Sequence, residues 1–209
     1  MKVLVSTVAA LCLGSTALAQ DIQPKTYFSL GVGAFELESD EVIFPDFNDE
    51  TTNEVDTGVA LYGLIGRRMG NSPLSVEGEV GVYTSRWDGF ADGSVTFTCD
   101  PRDDCLDEVI RTTSLTANAV LSAPMNAPIR PYAGVGAGLM ITDFNLEDVD
   151  PEVGFGYLLK VGADIPVAGF NRVGIQYTYL GAPEVDFDGG FAEFDVSGNT
   201  ILLQWTSAF

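Results

Sequence analysis

The feature that most limits what this chain can become is a two-residue rhythm. In stretch after stretch, bulky apolar residues alternate with glycine, small or polar ones, as in a β-strand whose two faces meet different surroundings. From Thr26 to Leu37, Phe28, Leu30, Val32 and Ala34 share one face, and Tyr27, Ser29, Gly31 and Gly33 the other. Thr57 to Arg68 sets Val59, Leu61 and Ile65 against Ala60, Tyr62 and Leu64, and Pro73 to Thr84 sets Leu74, Val76, Val80 and Val82 against Glu77, Glu79 and Gly81. The rhythm returns in Val109–Ala123, Ile129–Thr142, Val153–Ile165, Arg172–Gly181 and Asp195–Phe209. No segment beyond the N-terminal leader approaches the ~20 consecutive apolar residues of a membrane helix.

The connections between these eight stretches alternate in length. Glu38–Asp56, Ser85–Glu108, Asp143–Glu152 and Ala182–Phe194 are long and hold most of the 30 acidic residues. Met69–Ser72, Pro124–Pro128 and Pro166–Asn171 are short, with Arg67, Arg68, Arg130 and Arg172 close by. An antiparallel meander with short turns at one end and long loops at the other suits a barrel in lipid, where only closure satisfies every backbone group. A soluble sandwich or lipocalin-like barrel shares the period-two pattern. It fits less well: the second face is mostly glycine and small residues, the aromatics gather near strand ends, and the last strand finishes on Phe209. The expected fold is therefore all-β, an eight-stranded antiparallel up-and-down transmembrane β-barrel spanning residues 20–209.

Residues 1–19 read as an export signal. Met1-Lys2 is a small basic start, Val3–Leu13 an apolar run too short to span a bilayer, and Ala17-Leu18-Ala19 a cleavage site before Gln20. Cys12 follows Leu11, too large for a lipobox, and leaves with the leader. Against 30 acids stand only 10 basic residues, a net charge of −20 that becomes −21 when Lys2 is lost. Such a chain does not suit nucleic acid, whose phosphates demand a basic face. Two cysteines remain, Cys99 and Cys105 in CDPRDDC, and in an exported protein this pair is expected to form one disulfide closing a small loop.

The terminal strand, with Ile201, Leu203 and Trp205 alternating toward Phe209, resembles the C-terminal signature of bacterial outer-membrane barrels. With IRPYAGVGAGL at Ile129–Leu139 and IQYTYLG in the seventh stretch, the whole chain beyond the leader is similar to the family that includes the OmpA transmembrane domain and the opacity-type surface proteins. The resemblance implies a small integral protein of the Gram-negative outer membrane. It implies that Ile201, Leu203, Trp205 and Phe209 are read by the barrel assembly machinery, and that no peptidoglycan-binding domain follows. Functions in such a family run from envelope integrity to adhesion and slow solute passage.

Chemistry has little to stand on. Barrel enzymes of this size rely on histidine as general base, and the chain has none; no cofactor is expected. Charges in a narrow lumen must be paired. Glu77 and Glu79, with Lys160 and Asp164 and with Arg68, are therefore expected to form a lumenal salt-bridge network. An eight-stranded barrel is just filled by side chains, so a passive porin-like channel is the second reading and a membrane-embedded enzyme the last. Breaking the pairs is expected to loosen the plug and raise conductance in Glu77→Ala or Lys160→Ala. DVDPE (Asp148, Asp150) and DFDGG (Asp186, Asp188) are weak divalent-cation candidates without EF-hand spacing. The expected partners are outer-membrane lipids and lipopolysaccharide, with divalent cations bridging the loop acids to phosphate.

Overall fold

The computed structural model describes residues 25–38, 41–44, 49–70, 72–92, 95–98, 109–124, 126–144, 151–187 and 192–209. Among them are ten strands and no helix: β1 (Thr26–Leu37), β2 (Glu41–Phe44), β3 (Asp49–Arg68), β4 (Leu74–Asp92), β5 (Val95–Thr98), β6 (Val109–Ser122), β7 (Arg130–Phe144), β8 (Glu152–Ala168), β9 (Asn171–Phe187) and β10 (Ala192–Ala208). Eight close a ring. The order runs β1, β3, β4, β6, β7, β8, β9, β10 and returns to β1, antiparallel at every junction. β2 carries on the line of β1 between β3 and β10, and β5 folds back on the end of β4.

The register fixes the geometry. From Glu36, the paired residues Asn199, Tyr179, Leu159, Val135, Ala119, Val76 and Arg67 lead back to β1 at Thr26, ten residues from the start. A shear of ten over eight strands tilts them by about 40° from the axis and leaves an interior that side chains fill.

The two faces of each strand then decide which solvent the barrel requires. Outward positions are apolar and exposed: Leu61, Ile65, Val135, Leu159 and Ile175 are each more than two-fifths accessible, and Phe155 reaches 70%. Inward positions include Lys160 at 2%, Glu79 at 1%, Gln176, Thr178 and Thr116, all buried. A soluble barrel would show the reverse, so this surface calls for lipid.

Four expected loops are partly strand. β3 holds 20 residues and β4 19, about twice the roughly 9–11 needed to cross a bilayer. β2 and β5 lie inside stretches expected to be loop, and β9 and β10 run through most of 182–194. The backbone ladder does not need an apolar face; acidic residues interrupt the alternation in the longer strands, and β2 and β5, at four residues each, are too short to establish one. At the opposite end the turns are tight. Ala168 pairs with Asn171 across Gly169-Phe170, and Gly169 has φ 57°, as Gly70 in the β3–β4 turn has φ 62°. Glycine takes this left-handed conformation without a Cβ clash.

Candidate functional site: a charge-filled lumen

The inward faces of the eight strands put side chains into three layers. The short-turn end centres on Asp164 of β8. Arg130 of β7 donates from Nη2 to Asp164 Oδ2 at 2.5 Å and from Nε to both carboxylate oxygens at 3.1 and 3.2 Å. Arg172 of β9 donates from Nε to Asp164 Oδ1, and from Nη2 to Asp164 O at 3.0 Å and Ala127 O at 3.1 Å. The Arg130 guanidinium also stands 6.0 Å from the Tyr27 ring centroid.

In the middle layer Lys160 of β8 crosses the lumen to β4. Its Nζ donates to Glu77 Oε2 at 2.6 Å and to Glu79 Oε2 at 2.8 Å. Tyr27 Oη donates to Glu77 Oε1 at 2.6 Å, and Asn118 Nδ2 to Glu79 Oε2 at 3.1 Å. Tyr62 to Gln204 (2.5 Å) and Tyr132 to Gln176 (3.0 Å) complete the polar packing. The space left between Tyr27, Glu77, Arg130, Tyr132 and Gln204 is a cavity of about 20 Å³, room for a single water. Beside the lysine the packing is tight: a Cβ at Gly134 would lie 2.8 Å from Val120 Cγ2 and 3.3 Å from Lys160 Cγ.

Beyond Lys160 the interior holds no described charge. Phe35, Met140, Leu158 and Leu180 are fully buried among Thr112, Ser114, Thr142 and Thr200, and Phe35 packs against Tyr83 with ring centroids 5.4 Å apart. The ion pairs therefore lie between the short turns and a closely packed, uncharged level.

Of the five residues expected in one network, Glu77, Glu79 and Lys160 meet. Asp164 does not join them; it is taken by Arg130 and Arg172. Four residues before and after a point on one strand share a face but differ in depth, and Asp164 lies one layer nearer the turns than Lys160. Arg68, the last residue of β3, also stays out: its Nη2 donates to Ser122 Oγ at 3.2 Å and Ala123 O at 3.1 Å, across the barrel mouth. Arg130 and Arg172 were the residues missed. Alternation could have found them, since Arg130 shares parity with Tyr132 and Gly134, and Arg172 with Gly174 and Gln176. Among the described residues the six buried charged side chains comprise three acids and three bases. The lysine cluster has one negative charge in excess and the Asp164 cluster one positive, so the layers neutralise each other.

In the terminal strand Ile201 and Leu203 face outward and are exposed, Trp205 packs edge-on to Phe28 with centroids 5.1 Å apart, and Phe209 N donates to Thr26 O at 2.8 Å. Asp186 belongs to β9, where Glu193 of β10 is its partner and Glu184 pairs with Asp195. No group of three or more metal-ligating side chains gathers among the described residues. Residues 1–19, Cys99, Cys105, Asp148, Asp150 and Asp188 lie outside the described residues.

Fold and lumen together define a closed eight-stranded barrel with a lipid-facing exterior and a packed, charge-compensated interior. The model of the outer membrane protein beta-barrel domain family matches residues 5–204, and the chain belongs to that family. Among solved structures it is similar to Neisserial surface protein A, with 12% identity over 88% of this chain and 97% of the other and a TM-score of 0.57. It also resembles Ail of Yersinia pestis, with 16% identity over 90% and 100% and a TM-score of 0.46. The outer-membrane enzyme PagL gives 12% identity over 88% and 99%, with a TM-score of 0.40. At these identities the likeness is one of fold. No curated protein matches significantly in sequence.

Proposed function

We propose that this protein is a non-conducting integral barrel of the outer membrane with an envelope or surface-interaction role, exercised through the acidic hairpins at its long-connection end. The observation that carries this reading is the layered lumen. Six paired charges lie beneath a second buried level in which Phe35, Leu158 and Leu180 pack with Thr112, Ser114 and Thr200, so an ion must pass a closely packed level as well as the ion pairs. On this reading the packed level stays in place when one pair is broken, contrary to the expectation that Lys160→Ala raises conductance. In planar bilayers, wild type and Lys160→Ala are both expected to stay at the baseline of protein-free lipid. Reproducible single-channel steps in wild type would instead support a porin-like channel.

Catalysis is disfavoured because the lumenal carboxylates are engaged by Lys160, Arg130 and Arg172 and buried from substrate. On this reading the leader is removed before Gln20, Cys99 and Cys105 form a disulfide, and the terminal strand is the segment that the assembly machinery takes up. The hairpin acids are proposed to reach lipopolysaccharide phosphate through divalent cations. Ca²⁺ is then expected to raise the thermal midpoint in lipopolysaccharide-containing vesicles and not in plain phosphatidylcholine; equal midpoints would remove the cation bridge.

A further inference from the structure

In one sector the lipid-facing wall is hollowed. Gly63 of β3 faces outward, while its neighbours project: Leu61 on the same strand, Leu30 of β1 and Val80 of β4 beside it in register, and Leu203 and Trp205 of β10 beyond Leu30. With no side chain at Gly63, they border an open apolar groove of about 710 Å³. A Cβ added at Gly63 would lie 3.4 Å from Leu30 Cδ2, an ordinary contact, so packing within the wall does not require a glycine there.

The foot of the same sector carries outward positive charge. Arg67 is exposed on the outward face of β3, four residues beyond Gly63, and Lys25 is exposed just before β1, five residues before Leu30. At the strand tilt given above, both backbones stand about 10–13 Å nearer the short-turn end than the groove. Neither side chain makes an ion pair or hydrogen bond among the described residues. The remainder of this end is different: residues 69–76, 121–131, 163–173 and 199–208 contain three charged residues, Arg130, Asp164 and Arg172, all turned inward and paired with one another. The terminal carboxylate of Phe209 leaves from the β10 side of β1, where Phe209 N donates to Thr26 O at 2.8 Å, and offsets one of the two cations at most. In a chain of net charge −20, the outward cations of this end stand together beneath the groove.

We infer that this sector is the seat of one anionic glycerophospholipid of the leaflet at the short-turn end, its phosphodiester on Arg67 and Lys25 and one acyl chain in the groove at Gly63. The apolar groove alone selects no lipid, because acyl chains are as apolar as the wall. Selection comes from the foot. Cations at a membrane surface favour anionic lipid, the Arg67 guanidinium matches phosphate with paired donors, and a zwitterionic headgroup brings an ammonium that the two cations repel. The offset in depth between cations and groove is the stretch over which glycerol and the first part of an acyl chain descend from a phosphate.

The test titrates the folded full chain in detergent with phosphatidylglycerol or phosphatidylcholine of the same acyl chains, counts bound lipid by native mass spectrometry, and maps the seat with a phosphatidylglycerol carrying a diazirine halfway along one acyl chain. One phosphatidylglycerol is expected to stay bound, at least about fivefold more tightly than phosphatidylcholine, with R67Q and K25Q each losing roughly fivefold. G63L fills the groove and should lose the retained lipid although both cations remain. The label should fall on β1, β3 or the groove-lining Val80 and Leu203. Equal retention of the two lipids, retention indifferent to R67Q or to G63L, or label spread evenly onto β6, β7 and β8 would each overturn the proposal. Heat-modifiable migration checks that each variant is folded; where one is not, the label position on wild type decides alone.

Discussion

At the scale of single residues, the lumen is governed by the cost of an unpaired buried charge. Lys160 is shared by Glu77 and Glu79, all three less than a tenth exposed. Lys160→Met strands two carboxylates in one site, so equilibrium urea unfolding in lipid vesicles should show a loss of about 3–5 kcal/mol. Replacing all three by Lys160→Met, Glu77→Gln and Glu79→Gln should recover most of it, because the charge is then removed rather than orphaned. A second residue-scale prediction concerns Gly136, where an added Cβ would fall 1.7 Å from Asn118 Oδ1. Gly136→Ala must displace Asn118 from Glu79 and is expected to cost about 1–3 kcal/mol. In an Asn118→Ala background the same change should cost much less, and additive effects in the double-mutant cycle would contradict the contact.

At the scale of elements, the short connections are held more firmly than their length suggests. The 123–129 connection is gripped from two sides of the mouth, by Arg68 at Ala123 O and by Arg172 at Ala127 O, and closes internally through Ala127 N to Pro124 O at 3.0 Å. Arg68→Ala should speed hydrogen exchange of the Ala127 amide roughly fivefold to tenfold, as loss of an interaction near 1 kcal/mol implies. An unchanged rate would mean that the clamp adds nothing to the turn. Gly169, at φ 57° in the two-residue β8–β9 turn, should lose about 1–2 kcal/mol as Ala, since a Cβ is strained there. The long hairpins were the least legible elements. Acidic residues interrupt the apolar alternation in the outer parts of β3, β4, β9 and β10, and β2 and β5 are only four residues each, too short to show a period inside acidic stretches, so all read as loop although their backbones pair.

At the scale of the whole molecule, closure is the property with the clearest assay. The β1–β10 seam pairs eleven residues of β1, from Tyr27 to Leu37, and it must break cooperatively with the seven other junctions. Detergent-solubilised protein should therefore migrate differently before and after boiling, and sediment with outer membranes. Identical migration would contradict a heat-resistant closed barrel.

What the sequence determined by itself is the set of properties carried by local periodicity. The eight crossing segments, their inward and outward faces, and the alternation of short and long connections follow from the two-residue geometry of an extended chain, as does the requirement that the greasy face meet lipid. What only the tertiary structure decided is who meets whom across the barrel. Parity put Glu77, Glu79, Lys160 and Asp164 inside, and by the same rule admits Arg130 and Arg172, but it could not set their depths, which depend on a shear of ten accumulated around eight strands. That stagger gives Lys160 to Glu77 and Glu79, gives Asp164 to the two arginines, and leaves Arg68 to the mouth, because a side chain's partner across a closed sheet is fixed by register summed over every strand between them.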